Sequence, residues 1–163
     1  FIPPEFSPYN VQNIGGKIYV TFAQSDGDGR SARSGEGLGH IVVFDAEGNV
    51  VSRLQSGPWM NAPWGVALAP EGFGEFSNDV LVGNSGSGQI AAFDPDTGAF
   101  EGYLADAQGT PVSITGLHGL CFGNNGLAGP ATTLYFTAGT GDGQHGLFGS
   151  ITAAGPSLRG NEK

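Results

Sequence analysis

The chain has 163 residues, of which 30 are Gly and 10 Pro; it is 39% hydrophobic and carries a formal net charge of −9 with only six Lys and Arg. This length predicts one domain with one sizeable core, and so large a Gly and Pro excess at this hydrophobicity predicts many tight turns between short strands instead of disorder. The scarce, scattered cations argue against nucleic acid or an anionic membrane surface as a partner, and no stretch approaches the roughly 18 apolar residues needed for membrane insertion.

No dozen-residue window keeps a helical apolar period without a Gly or Pro, so the expected class is all-β. A lone cysteine, Cys121, forbids an internal disulfide, and its position within an alternating strand predicts a small, buried apolar residue. The opening Phe1-Ile2-Pro3-Pro4 has neither an initiator Met nor a signal-peptide pattern and reads as a processed or truncated product.

In chain order, three prolines within Phe1 to Pro8 predict an extended lead-in and no central strand. Asn10 to Ile14, the Gly15-Gly16 hairpin turn and Lys17 to Ala23 follow as two strands. A long polar loop, Ser25 to Gly39, leads to His40–Asp45, a turn over Ala46 to Asn49, and Val50–Leu54. The second unit repeats the order with Trp64–Leu68, a loop from Pro70 to Asn78, Asp79–Asn84, Gln89–Asp94, a Pro95-Asp96-Thr97-Gly98 type I turn and Ala99–Leu104. The third supplies His118–Phe122, Thr133–Ala138 and Gly146–Thr152, with no evident fourth strand.

Three related openings set the rhythm: Tyr9, Trp64 and His118 each precede a short alternating apolar run, at separations of 55 and 54 residues. A period of this size predicts a stacked or radial repeat, and four strands per unit predict the blade of a β-propeller. The expected units are residues 9–61, 62–115 and 116–155 of a single propeller segment, the last incomplete, with 156–163 as a tail. Three blades cannot close a ring, because propellers take about four to eight, and open sheet edges are normally covered. The expectation is therefore a homodimer completing a six-bladed ring, pairing with a missing N-terminal half, or an open head-to-tail assembly.

Trp64-Gly65-Val66-Ala67-Leu68-Ala69-Pro70, then Asn78-Asp79-Val80-Leu81-Val82-Gly83-Asn84 and Gly88-Gln89-Ile90-Ala91-Ala92-Phe93-Asp94, resembles the repeats of NHL-type six-bladed propellers. Asn10 to Lys17, Ala62 to Gly65, Leu134 to Gly139 and His145 to Gly149 look like an uncharacterised bacterial family of secreted propellers of this kind, matching its C-terminal half. The resemblance runs from about Tyr9 to Thr152. It implies the fold and export from the cytoplasm, and it carries no activity with it. The Ser157 to Lys163 tail has no sorting signal of the type some members carry.

First strands of a propeller line its central channel, so Tyr9, Trp64 and His118 either ring a ligand pocket near the axis or wedge between blades as core. Wedging is the expectation, with His118 the exception. Asn84 and Asn124, with Asp45 and Asp94, are the oxygen-bearing residues that could hold a divalent cation in the channel; gluconolactonase-type propellers use a Glu, two Asn and an Asp in this way. The turn residues after Asp45 and Asp94 predict caps in preference to ligands. Ser25-Asp26-Gly27-Asp28-Gly29 and Thr140-Gly141-Asp142-Gly143 only superficially resemble calcium loops, and Gly83 to Gly88 lacks the Lys and helix of a phosphate-binding loop. No nucleophile-elbow pattern occurs.

The expected function is thus a non-catalytic binding or structural module outside the cytoplasm, with an unknown protein or small-molecule ligand and no cofactor. The alternatives are a metal-dependent hydrolase or lactonase of the six-bladed kind, and a structural subunit that assembles through open blade edges.

Overall fold

In Lys17–Gln24 every second side chain, Tyr19, Thr21 and Ala23, is buried, which is the period-two signature of a strand with one face on a core. Gly15 and Gly16 precede it at φ 59° and 83°, the left-handed pair that a two-residue hairpin requires. The computed structural model describes residues 2–27, 31–140 and 144–154, and these local rules recur throughout them.

The result is three antiparallel sheets. The first has the order β1 (Phe6–Ile14), β2 (Lys17–Gln24), β3 (Gly39–Phe44), β4 (Val50–Arg53), and the second β5 (Pro63–Leu68), β6 (Val80–Asn84), β7 (Ile90–Phe93), β8 (Phe100–Tyr103). The third has three strands, β9 (Leu117–Phe122), β10 (Thr133–Thr140) and β11 (His145–Thr152), with β10 in the middle. Among the described residues the one helical feature is a 3-10 turn at Gly74–Phe76, inside the loop expected between Pro70 and Asn78. The fold class is all-β; the third sheet has three described strands, and residues 155–163, where a fourth would follow, lie outside the described residues.

The sheets pack in series. Tyr19, Ile41 and Val43 of the first sheet share a core with Val66, Val80, Val82, Ala91 and Phe93 of the second, around the fully buried Met60. The opposite face of the second sheet, with Ala67, Leu81, Ile90 and Ala92, packs on Leu117, Leu120, Leu134, Phe136 and Ala138 of the third. Covering on both faces explains why all five residues of β6 are buried. Each large apolar side chain enclosed this way contributes about 1.5–3 kcal/mol.

The third-strand aspartates close turns. Asp45 Oδ1 accepts the backbone N–H of Glu47 at 3.0 Å and of Asn49 at 2.8 Å, and Asp94 Oδ1 accepts those of Asp96 at 3.0 Å and Thr97 at 2.6 Å. Gly98, at φ 73°, sits so close to the first sheet that a Cβ there would lie 2.4 Å from the Arg53 carbonyl oxygen.

Two expectations need correction. The first strand begins at Phe6 instead of Asn10: β1 is an edge strand, and its register shifts between Pro8 and Asn10, so the missing Pro8 N–H falls at an irregularity that tolerates it. Cys121 is exposed, not buried. The pleat turns its neighbours Leu120 and Phe122 toward the second sheet and leaves Cys121 on the other face.

Candidate functional site

The first strands of the three sheets are neighbours, with β5 beside both β1 and β9. Gly65 permits the second approach: a Cβ there would stand 2.5 Å from the His118 carbonyl oxygen and 2.8 Å from the Leu120 nitrogen. On the other side, Asn10 Nδ2 donates to the Trp64 carbonyl at 2.9 Å, fixing β1 against β5.

This spacing gathers the three repeat-opening rings into one row. Tyr9 and Trp64 meet at a centroid distance of 4.4 Å and 78°, and Trp64 and His118 at 5.2 Å and 72°. Both contacts are edge-to-face, the arrangement that sets a positive ring edge against a negative face. All three residues are half-buried, so the row is partly packing and partly accessible surface. His118 Nδ1 lies 2.6 Å from the Gly116 carbonyl oxygen. A carbonyl only accepts, so Nδ1 carries the proton, and Nε2 is the ring position that can accept one from a ligand.

Asn84 does not join them. It is fully buried, and its Oδ1 accepts the Asn61 N–H at 2.8 Å while Nδ2 donates to the Trp59 carbonyl at 3.1 Å. Asn61 in turn accepts the Gly35 N–H at 2.7 Å through its own Oδ1. This amide relay ties loops of the first sheet to the end of β6, and it occupies the groups a metal would need. Asn124 is exposed, and its Oδ1 takes the Gly126 N–H at 2.9 Å within a tight loop after β9. The two asparagines share no bonding partner.

Asp45 and Asp94 are likewise committed to their turns. The Asn49 side chain, followed by backbone donors, holds the Asp45 carboxyl below its usual range, and the Thr97 backbone and hydroxyl do the same for Asp94. Among the described residues no three His, Cys, Asp or Glu side chains gather as a metal set. Asp28 and Asp142 of the two calcium-like stretches lie outside the described residues.

Sequence reasoning missed a further pair. His40 Nδ1 and Ser56 Oγ are 2.9 Å apart, and the Phe6 and His40 rings meet edge-to-face at a centroid distance of 4.5 Å. Burial, and then the Arg53 charge, lower the His40 pKa against an opposing pull from Glu5. No spacing or motif marks this contact, which joins β3, the start of β1 and the segment after β4.

Fold and row together define a class: an all-β protein of serially packed antiparallel sheets whose first strands meet in a line of rings. No family model matches the chain. It is similar to three uncharacterised proteins of Acanthamoeba polyphaga mimivirus. One is 41% identical over 120 residues, which is 73% of this chain and 22% of that protein. A second is 36% identical over 155 residues, 92% of this chain and 36% of that protein, and a third 34% identical over 151 residues, 92% and 39%. The chain thus spans less than two fifths of the length of these relatives. A crystal structure of a protein of unknown function from Bacteroides caccae superposes with a TM-score of 0.51 at 12% identity, over 93% of this chain and 48% of that one, a likeness of fold alone.

Proposed function

We propose that the chain is a propeller segment of NHL-like blades that serves as a non-catalytic binding or structural module, with the Tyr9, Trp64 and His118 row as its ligand-facing surface. The observation that carries this reading is the pair of edge-to-face contacts that line up one ring from each sheet. Three half-buried rings offer flat apolar area at small entropic cost, and the His118 Nε2 adds one directional polar contact. This combination suits a small ligand with an apolar face and a hydrogen-bond donor. Action outside the cytoplasm follows from the resemblance to the secreted propellers.

The binding reading is favoured over the hydrolase because Asn84 spends its amide on Asn61 and Trp59, while Asp45 and Asp94 spend their carboxylates on turns. The test is a heteronuclear NMR screen with monosaccharides and aromatic heterocycles. Shifts confined to Tyr9, Trp64, His118 and their strand neighbours, and lost in His118→Ala, are expected. Shifts scattered over loops far from β5, or binding unaffected by His118→Ala, would remove the row as the site.

A further inference from the structure

Strand register makes the three sheets directly comparable. On the face that each sheet turns toward the next, the central strand and its outer neighbour pair Tyr19 with Val43 and Thr21 with Ile41 in the first sheet. The same positions are Leu81 with Ala92 and Gly83 with Ile90 in the second, and Tyr135 with Ser150 and Thr137 with Phe148 in the third. Ile41 and Ile90 are 1% and 0% exposed because a following sheet covers them, whereas Phe148, at the matching position, is 71% exposed. Around it, Tyr135 stacks on the Phe148 ring at 5.7 Å and 3°, and Cys121, Phe122, Leu127 and Tyr135 border a groove of about 460 Å³. An apolar face of this kind marks an interaction site.

The face that each sheet turns toward the preceding one is equally regular. The second sheet docks on the first with Val80 opposite Phe93 and Val82 opposite Ala91. The third docks on the second with Leu134 opposite Ile151 and Phe136 opposite Gly149. In the first sheet the same register holds Ile18 opposite Phe44 and Val20 opposite Val42; Val42 is buried and Ile18, Val20 and Phe44 are half-buried, and neither core cluster between the sheets includes any of the four. Among the described residues the third sheet therefore carries an acceptor face and the first sheet a docking face, each in the register of an interface that the molecule already makes twice.

We propose that the Phe148 face of the third sheet receives the Ile18, Val20 and Phe44 face of the first sheet of a second copy. Reciprocal pairing of two copies about a two-fold axis covers both faces at once and leaves no further face to propagate. A similarly folded chain of about twice this length, matched over 48% of itself, has room for the doubled arrangement within one polypeptide. The inference rests on sheet packing and not on the ring row, so loss of ligand binding leaves it standing and the reverse also holds.

The experiment is sedimentation velocity on the purified chain from micromolar to several hundred micromolar. A monomer–dimer equilibrium that stops at the dimer is expected. Phe148→Asp and Val20→Asp should each weaken association by at least about tenfold, the effect of placing a charge in a buried apolar contact. An equimolar mixture of the two variants should associate more strongly than either alone, through one intact interface, because the Phe148→Asp copy retains its docking face and the Val20→Asp copy its acceptor face, while the second interface carries both substitutions. Phe148→Ser serves as a milder substitution, and near-ultraviolet circular dichroism checks that each variant is folded. A monomer at every concentration, growth past the dimer, a dimer indifferent to Phe148→Asp, or no gain in association on mixing would each overturn the proposal.

Discussion

Asn84 Oδ1 accepts the backbone N–H of Asn61 at 2.8 Å from a position with no solvent exposure. Removing that side chain leaves the Asn61 N–H and the Trp59 carbonyl without these partners, and an orphaned buried polar group costs about 1–3 kcal/mol. Asn84→Ala should therefore lower unfolding free energy by about 2–4 kcal/mol, read as a drop in the urea midpoint with an unchanged slope. A chelator should change neither protein. Stability within about 0.5 kcal/mol of the parent would mean that the relay contributes little and would reopen a ligand role for Asn84.

The ring row should be measurable as a coupling. Because Trp64 contacts both Tyr9 and His118, a double-mutant cycle of Tyr9→Leu and Trp64→Leu should give an interaction energy of about 0.5–1.5 kcal/mol. The corresponding cycle between Tyr9 and Tyr135, which lies in the third sheet and stacks on Phe148, should be additive. A coupling near zero for the first cycle would show the rings to be adjacent without energetic consequence.

Close approach of β5 and β9 depends on the side chain that Gly65 lacks. Gly65→Ala forces a Cβ to 2.5 Å from the His118 carbonyl, so the strands must separate, at a cost of about 1–3 kcal/mol or more. The Trp64 to His118 ring contact should loosen with it, visible as a change in Trp64 emission in a Trp59→Phe background. Gly146→Ala is the control: a Cβ there meets nothing within 4 Å, and its effect should stay within about 0.5 kcal/mol.

Much of this arrangement is legible in the sequence because strand and turn chemistry are local. The β-branched run of β2, the Gly15-Gly16 pair and the Asp45 and Asp94 turns each state their conformation within a few residues. The period linking Tyr9, Trp64 and His118 is readable for a different reason: equivalent positions in repeated units fall at equivalent places in space. What escapes is information held by neighbours. Alternation predicts that Cys121 lies on one face of β9 but does not say which face a sheet covers, and Pro8 obscures a strand that an edge position and a register shift make acceptable. The role of Asn84 depends on where Asn61 arrives, and the His40 contact with Ser56 has no pattern at all.

Stability should also depend on pH through His40. Burial, with help from Arg53, lowers the His40 pKa below its usual 6.5, so the unfolded chain binds this proton more readily than the folded one. Stability contributed by this group is then complete above about pH 6.5 and is lost as pH falls through the folded-state value. Asp45 and Asp94 work in the same direction but only below their usual 3.8, so the two windows separate. Thermal midpoints should decline as the solution is taken from pH 7 toward pH 5, and His40→Gln should flatten that decline while keeping the acid transition below pH 4. An NMR titration of the His40 ring should place its midpoint under 6.5. A midpoint at or above that value, or an unchanged slope in His40→Gln, would show that solvent reaches the ring freely and that the Ser56 and Phe6 contacts do not shield it.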